Sequence, residues 1–341
     1  ESELINSSFD CFCINLATAG SLSDIGHISL KKLLKYFFLL KHISNVVREI
    51  RPELVYITPN AGRKAFFKDF IVVQMLKSMG CKVIAHYHNK GVSVYQSKWV
   101  YNFFYKRFFS NLKVILLAEN LYKDMAKYVK REDVYICPNG IPSSCKEEME
   151  ARRNNVIPHL LFLSNLLISK GVIVLLDALR ILKEKGYLFN CQYVGGETAE
   201  INAMQFVVEV ERRKLNDRVA YAGRKVGEEK NTFFQQADIF ILPTMNECFP
   251  LVILEAMEYK LPVISTNEGG IPDMVKDGEN GLICEKQNPV SLADCIAKLL
   301  DDEELRVKMG SAGHEKFCRE FTLDKFENRM RDILNQNLFS S

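Results

Sequence analysis

Short apolar runs alternate with longer stretches of helical periodicity along this chain, and the pattern runs twice with one polar interruption. Such alternation builds open parallel α/β sheets, because each parallel strand pair needs a crossover of a dozen or more residues. In the first half the expected strands are 11–16, 54–58, 82–87, 113–117 and 134–136, with helices over 29–50, 64–79, 98–109 and 119–130. Residues 143–157 carry Ser143, Ser144, a run of Glu and Arg, and Asn154-Asn155 without apolar periodicity, the composition of a linker. Strands then restart at 159–164, 189–194, 218–222, 239–242 and 263–265, with helices over 170–185, 200–214, 226–236, 249–259 and 289–300. After Asp301 only helical pattern follows, over 302–319 and 322–337. The fold expected is α/β with two facing Rossmann-like domains, 1–142 and 158–320, a linker over 143–157, and a helix over 321–341 that returns to the first domain. A length of 341 residues suits two cores of about 150 residues each.

Composition narrows the function classes. With 48% hydrophobic and 26% charged residues the chain is an ordinary globular one, which excludes disordered, collagenous and coiled-coil classes. Its apolar runs, such as 36–40, fall far short of the roughly 20 residues that cross a bilayer, and no charged-then-apolar leader opens the sequence. Ten cysteines lie scattered, Cys11 and Cys13 being the one close pair, so neither a zinc site nor a disulfide framework has support and a reducing cytoplasm is the expected compartment. Residues 1–142 carry 20 Lys and Arg against 11 Asp and Glu, whereas the remainder carries 25 against 31. A basic first half suits an anionic partner, whether membrane, phosphorylated ligand or nucleic acid; it equally suits a solvated basic face. Nucleic acid is disfavoured because no helix-turn-helix, zinc-finger or RNA-binding aromatic motif is present.

The densest chemical signal is Pro243-Thr244-Met245-Asn246-Glu247-Cys248-Phe249-Pro250-Leu251-Val252-Ile253-Leu254-Glu255-Ala256-Met257, directly after the strand at 239–242. Pro250 suits a helix start, and the free N–H groups of Leu251 and Val252 would offer an anion site at the strand ends. Glu255 suits vicinal hydroxyls such as those of a ribose, and Glu247 falls where a sugar would follow; as an alternative, both carboxylates complement the helix dipole. Ser164-Asn165-Leu166-Leu167-Ile168-Ser169-Lys170-Gly171 holds the matching place after the strand at 159–164, with Lys170 able to neutralise a departing diphosphate or to stand as a solvated charge. Gly195, Arg224 after Gly223, and the pair Gly269-Gly270 lie at further strand ends, where small residues let backbone approach a ligand or simply form turns. In the first half His88 follows the strand at 82–87, in the place of a cleft or a surface histidine.

Taken together, the glutamate pair with seven residues between, in N-E-C-F-P-L-V-I-L-E-A, S-K-G at 169–171, A-G-R at 222–224 and E-G-G-I-P-D at 268–273 resemble the donor domain of the retaining, nucleotide-sugar-dependent glycosyltransferases of family four, which have the GT-B architecture. P-N-G-I at 138–141 is similar to that family's interdomain junction. The resemblance implies that Glu247, Lys170 and His88 serve catalysis, with Glu247 on the transferred sugar, Lys170 on the diphosphate and His88 beside sugar and acceptor. It implies that Glu255, Leu251, Val252, Asn165, Gly195, Arg224, Gly269 and Gly270 bind the donor. It implies no metal and no cofactor apart from the donor substrate itself, a UDP- or GDP-sugar, since Lys170 and a helix N-terminus supply the positive charge.

Two positions depart from the family. Asn165 stands where an arginine five residues before the lysine is usual, with Arg224 the candidate to compensate. The first strand and glycine-rich loop of the first domain are also missing, so the expectation is that roughly 25 to 30 residues precede Glu1 in the natural protein. The expected function is retaining transfer of a sugar from a nucleoside diphosphate to a glycan or lipid-linked acceptor in cell-surface polysaccharide synthesis. The alternative is a non-catalytic or partner-dependent subunit of such a system. A basic amphipathic face at 31–50, carrying Leu33, Tyr36, Leu40, Ile43, Val47 and Ile50, and the aromatic-basic stretch 98–109 suit either an anionic membrane or a core. The first of these places the chain at the inner face of the membrane.

Overall fold

The computed structural model describes residues 2–16, 30–143 and 155–339. Contacts divide the chain into two units, Glu1–Cys137 with Glu327–Ser341, and Pro138–Phe326. Both are α/β units built on wholly parallel sheets, the class expected from the alternation.

In the first unit β1 (Val55–Ile57), β2 (Val83–Tyr87), β3 (Lys113–Leu116) and β4 (Val134–Ile136) lie side by side in sequence order. All five residues of β2 are buried, as a strand covered on both faces requires. Helices Arg63–Ser78 and Trp99–Phe109 pack together through Phe66, Tyr105 and Phe108, with the rings of Phe66 and Tyr105 4.6 Å apart.

Two expectations fail in this unit. Residues 11–16 form no strand, because an apolar run alone does not make one and, among the described residues, no strand pairs with them; Cys11, Phe12 and Cys13 are exposed. The expected helix over 119–130 is a 3-10 segment, Glu119–Asp124, followed by turns.

The second unit holds β5 (His159–Leu163), β6 (Asn190–Val194), β7 (Val219–Tyr221), β8 (Ile239–Leu242), β9 (Val263–Thr266) and β10 (Gly281–Cys284), in the spatial order β10-β9-β8-β5-β6-β7. The chain steps outward from β5 through β6 to β7, then returns to the other side of β5 and steps outward again from β8. The order therefore reverses between β5 and β8, and a ligand crevice opens at the carboxyl ends of strands on either side of such a reversal. Helix Val172–Glu184 buries Leu175, Leu176, Leu179 and Leu182 along one stripe, each worth about 1.5 to 3 kcal/mol of apolar burial. Helix starts are capped locally: Asn202 and Gln205 form a reciprocal capping box, and Asn288 accepts from the N–H groups of Val290 and Ser291.

The sequence reading omitted β10, a short strand entered through the turn Asp277-Gly278-Glu279-Asn280, and the short helices Val92–Tyr95 and Ile271–Met274. Most of the expected linker, 144–154, lies outside the described residues. Residues 138–142 join the second unit: Ile141 N–H donates to the carbonyl of Phe321, and Leu323 N–H to that of Ile141. Gly140 is pressed so closely on the carbonyl of Thr322 that any side chain there would collide with it. The last helix, Leu323–Phe339, starts in the second unit and belongs to the first from Glu327 onward.

Candidate active site

Lys170 ends a 3-10 turn, Ile168–Lys170, that follows β5. Gly171 next to it takes φ +84°, and a Cβ there would strike the carbonyl of Pro243, so the loop after β5 lies directly on the loop after β8. Two bonds tie the loops: the Met245 N–H and the Thr244 hydroxyl both donate to the Ser169 carbonyl, at 2.8 and 3.2 Å. Across this seam Lys170 Nζ forms an ion pair with the Glu247 carboxylate and also reaches the Asn246 carbonyl at 3.4 Å. The pair is about four-fifths buried on both sides.

Glu247 is fixed from its other flank by the loop after β9. Gly269, at φ +54°, leaves no room for a Cβ beside the Glu247 carbonyl, and Gly270 N–H donates to the Cys248 carbonyl at 2.7 Å. Below the loop, the hydroxyl of buried Thr266 donates to the Thr244 carbonyl at 2.6 Å, and that of Ser265 to the Leu242 carbonyl at 2.7 Å. Helix Leu251–Glu258 follows, with Pro250 at its cap and no side chain capping it. Leu251 and Val252 therefore present first-turn N–H groups that have no partner within the helix. Buried Phe249 anchors this entrance against Phe321, with ring centroids 6.1 Å apart.

Glu255 lies one turn into that helix. Its Oε1 accepts from Lys230 Nζ at 2.7 Å, and the two residues line a cavity of about 370 Å³ together with Asn231, Glu258, Tyr259 and Ile141. On the other side of β5, Asn165 Oδ1 accepts from Gly196 N–H at 3.0 Å, and buried Gly195 donates to the Gly223 carbonyl at 2.9 Å. A side chain at Gly195 would strike the Ser164 carbonyl. Arg224 follows Gly223 on an exposed loop, and its guanidinium forms no ion pair among the described residues.

Lys170, Glu247, Leu251, Val252, Gly269 and Gly270 are thus gathered at the ends of β5, β8 and β9, with Asn165 and Gly195 joined at the ends of β5 and β6. Arg224 follows Gly223, whose carbonyl accepts from Gly195 N–H in the turn that Asn165 holds. Asn165 brings no charge, and its amide oxygen is already used to hold the glycine turn.

His88 belongs to the first unit, at the end of β2. Its ring lies 4.1 Å from that of His86, and burial lowers its pKa. His86 itself is fully buried, with Nδ1 2.7 Å from the Tyr56 hydroxyl, and desolvation reinforced by His88 pushes its pKa down to about 3. Sequence reasoning missed Lys230, Thr244, Thr266, Tyr56 and His86. A threonine closing a strand beside the glutamate loop was the available signal for two of them; nothing in the spacing pairs Lys230 with Glu255, 25 residues away.

The family described as glycosyl transferases group 1 matches residues 146–316, half of the chain. Among curated proteins, an uncharacterized glycosyltransferase of Methanocaldococcus jannaschii is 32% identical over 176 residues, covering 52% of this chain and 47% of that protein. The amylovoran biosynthesis glycosyltransferase AmsK of Erwinia amylovora is 24% identical over 297 residues, covering 81% and 72%. Relatives matched at higher identity than AmsK are spanned over about half of their length or less. In fold the chain is similar to Anabaena HepE, solved in complex with UDP, at a TM-score of 0.71 and 18% identity, over 87% of this chain and 82% of that one.

Proposed function

The chain belongs to the group 1 glycosyl transferases, with two parallel-sheet domains of the GT-B kind, and we propose that it moves a sugar from a nucleoside diphosphate to a glycan or lipid-linked acceptor with retention of anomeric configuration. The observation that carries the reading is the Lys170–Glu247 pair, held at the reversal of strand order beside the uncapped start of helix Leu251–Glu258. In this reading the N–H groups of Leu251 and Val252 bind the diphosphate, Lys170 takes its charge, and Gly269 and Gly270 let backbone approach it. Glu255 accepts from the ribose, and Glu247 orients the sugar. Asn165, Gly195 and Arg224 border the donor, and His88 serves the sugar and acceptor side.

The bond between the anomeric carbon and the diphosphate oxygen breaks as the acceptor hydroxyl attacks the same face. The leaving phosphate oxygen takes the acceptor's proton. Lys170 and the helix N–H groups stabilise the charge that develops on that oxygen, so no metal is invoked. That HepE is solved with UDP supports a UDP-sugar donor, with a GDP-sugar as the other option. The 28% identity over 172 residues to the capsular polysaccharide biosynthesis glycosyltransferase CapM of Staphylococcus aureus supports cell-surface polysaccharide as the product.

Exposed Leu34, Phe37, Phe38, Trp99 and Phe103, among Lys35, Lys41, Lys98, Lys106 and Arg107, support peripheral contact with an anionic membrane at its cytoplasmic face. The neutral Asn165 favours a second reading, a subunit that binds donor but requires a partner for turnover. Thermal-shift screening of UDP- and GDP-sugars, then turnover with the stabilising donor followed by proton NMR of the product, tests both. An α-linked donor giving a β-linked product refutes retention, a sugar ester trapped on Glu247 replaces the mechanism, and binding without turnover selects the second reading.

A further inference from the structure

Lys230 occupies a position where a charge needs an explanation. It lies four residues before fully buried Phe234 on helix Gly227–Gln236, so the two share the inward face. Its side chain is 25% exposed and that of its partner Glu255 is 24% exposed. Withdrawing an ammonium and a carboxylate that far from water is unfavourable unless each satisfies the other. The geometry does so on one side only: Oε1 of Glu255 takes the lysine at 2.7 Å, and Oε2 is left for another donor.

Resting on the donor site proposed above, we infer that Lys230 is a positioning residue that holds the Glu255 carboxylate turned so that Oε2 accepts from a ribose hydroxyl. The site then selects ribonucleoside over deoxyribonucleoside diphosphates. A carboxylate free to rotate would accept from several directions, or swing toward solvent. One pinned by a lysine offers a single fixed acceptor, and a ligand that covers that oxygen but lacks the hydroxyl leaves it unsatisfied. Lys230 acts through Glu255 and needs no contact with the nucleotide itself.

The test is calorimetric titration of the full chain with UDP, GDP, their 2′-deoxy and 3′-deoxy forms, and inorganic pyrophosphate. Wild type is expected to prefer one ribonucleotide over at least one of its deoxy forms by about tenfold or more. Lys230→Met should reduce that preference to within about twofold while leaving pyrophosphate affinity unchanged, and Lys230→Arg should restore most of it. An undiminished preference in Lys230→Met overturns the inference. So does an equal loss of affinity for ribonucleotide, deoxynucleotide and pyrophosphate, which would mark Lys230 as a general anion contact. Wild type that binds none of the nucleoside diphosphates overturns the donor-site reading and this inference with it.

Discussion

A lysine and a glutamate that neutralise each other four-fifths of the way into a protein form a site whose charges a ligand can exchange. In the proposed reading a donor diphosphate offers Lys170 more negative charge than Glu247 does, and the carboxylate so released turns to the sugar hydroxyls. Glu247→Ala and Glu255→Ala should therefore each lower turnover by about tenfold or more, about 1.4 kcal/mol in the transition state, with the fold retained and the melting temperature lowered by the lysine that each change leaves without its carboxylate. Steady-state kinetics beside thermal denaturation checks this, and full activity in both variants refutes the assignment. His86 carries a different consequence. Its folded pKa of about 3 lies below the ordinary 6.5, so the unfolded chain binds the extra proton between those values. The contribution of a neutral, buried imidazole is thus fully present above pH 6.5 and is lost as pH falls toward 3, by at most about 1.4 kcal/mol per pH unit. Urea midpoints should decline between pH 7 and 4.5, and His86→Phe should flatten that decline; equal slopes in the two proteins count against it. At this scale the residues that local motif grammar selects, Lys170, Glu247, Gly269 and Gly270, do meet in space, because each follows a strand end. Partners brought by distant helices and strands, Lys230 to Glu255 and Tyr56 to His86, carry no mark in local spacing.

Helices and strands were legible where the pattern was long and periodic. Helix Val172–Glu184 and the fully buried β8 follow from their apolar stripes alone. The 11–16 apolar run misled because a strand is defined by its neighbour, and none among the described residues pairs with it. β10 escaped for the opposite reason: a four-residue run starting at Gly281 looks like loop until β9 supplies its register, Gly281 opposite Val263. The start of helix Leu251–Glu258 is the element on which the proposed anion site depends, and it admits a selective test. Proline is tolerated at the first helical position, where its missing N–H costs no intrahelical bond, and Pro250 before it already has the extended ψ of 108° that a following proline demands. Leu251, at 43% exposure, loses little packing when replaced. Leu251→Pro should keep the fold and delete one donor, weakening binding of UDP or of GDP, whichever the wild type binds, by about five- to tenfold, as loss of one charge-assisted hydrogen bond implies. Calorimetry on a variant with a wild-type circular dichroism spectrum decides it, and unchanged affinity removes this helix from the site.

On the scale of the whole molecule the charge divides unevenly, basic over residues 1–142 and acidic beyond. None of the helices among the described residues is long and apolar enough to cross a membrane, so any lipid contact through them is made at a surface. The structure changes which residues would make it. Of the face expected to be apolar on helix Leu30–Ile50, Ile43 is buried, Tyr36, Leu40 and Val47 are half-buried with the Tyr36 hydroxyl donating to the Lys68 carbonyl on the neighbouring helix, and Ile50 is exposed, so the middle of that face packs inward. Leu34, Phe37 and Phe38 instead project outward beside Lys35 and Lys41, while Trp99, 80% exposed, stands with Phe103 among Lys98, Lys106 and Arg107. Exposed aromatics set among cations can enter the headgroup region while the lysines and arginines remain at the anionic surface, each worth about 1 kcal/mol there. The chain should float with vesicles containing phosphatidylglycerol at low salt, bind them less at high salt, and ignore neutral vesicles. Phe37→Ser with Phe38→Ser, or Trp99→Ser with Phe103→Ser, should weaken flotation without altering the fold. Absence of binding at both salt concentrations would return these aromatics to the ordinary exposed apolar surface of a soluble domain, and binding that persists equally on neutral vesicles would show that the basic excess plays no part.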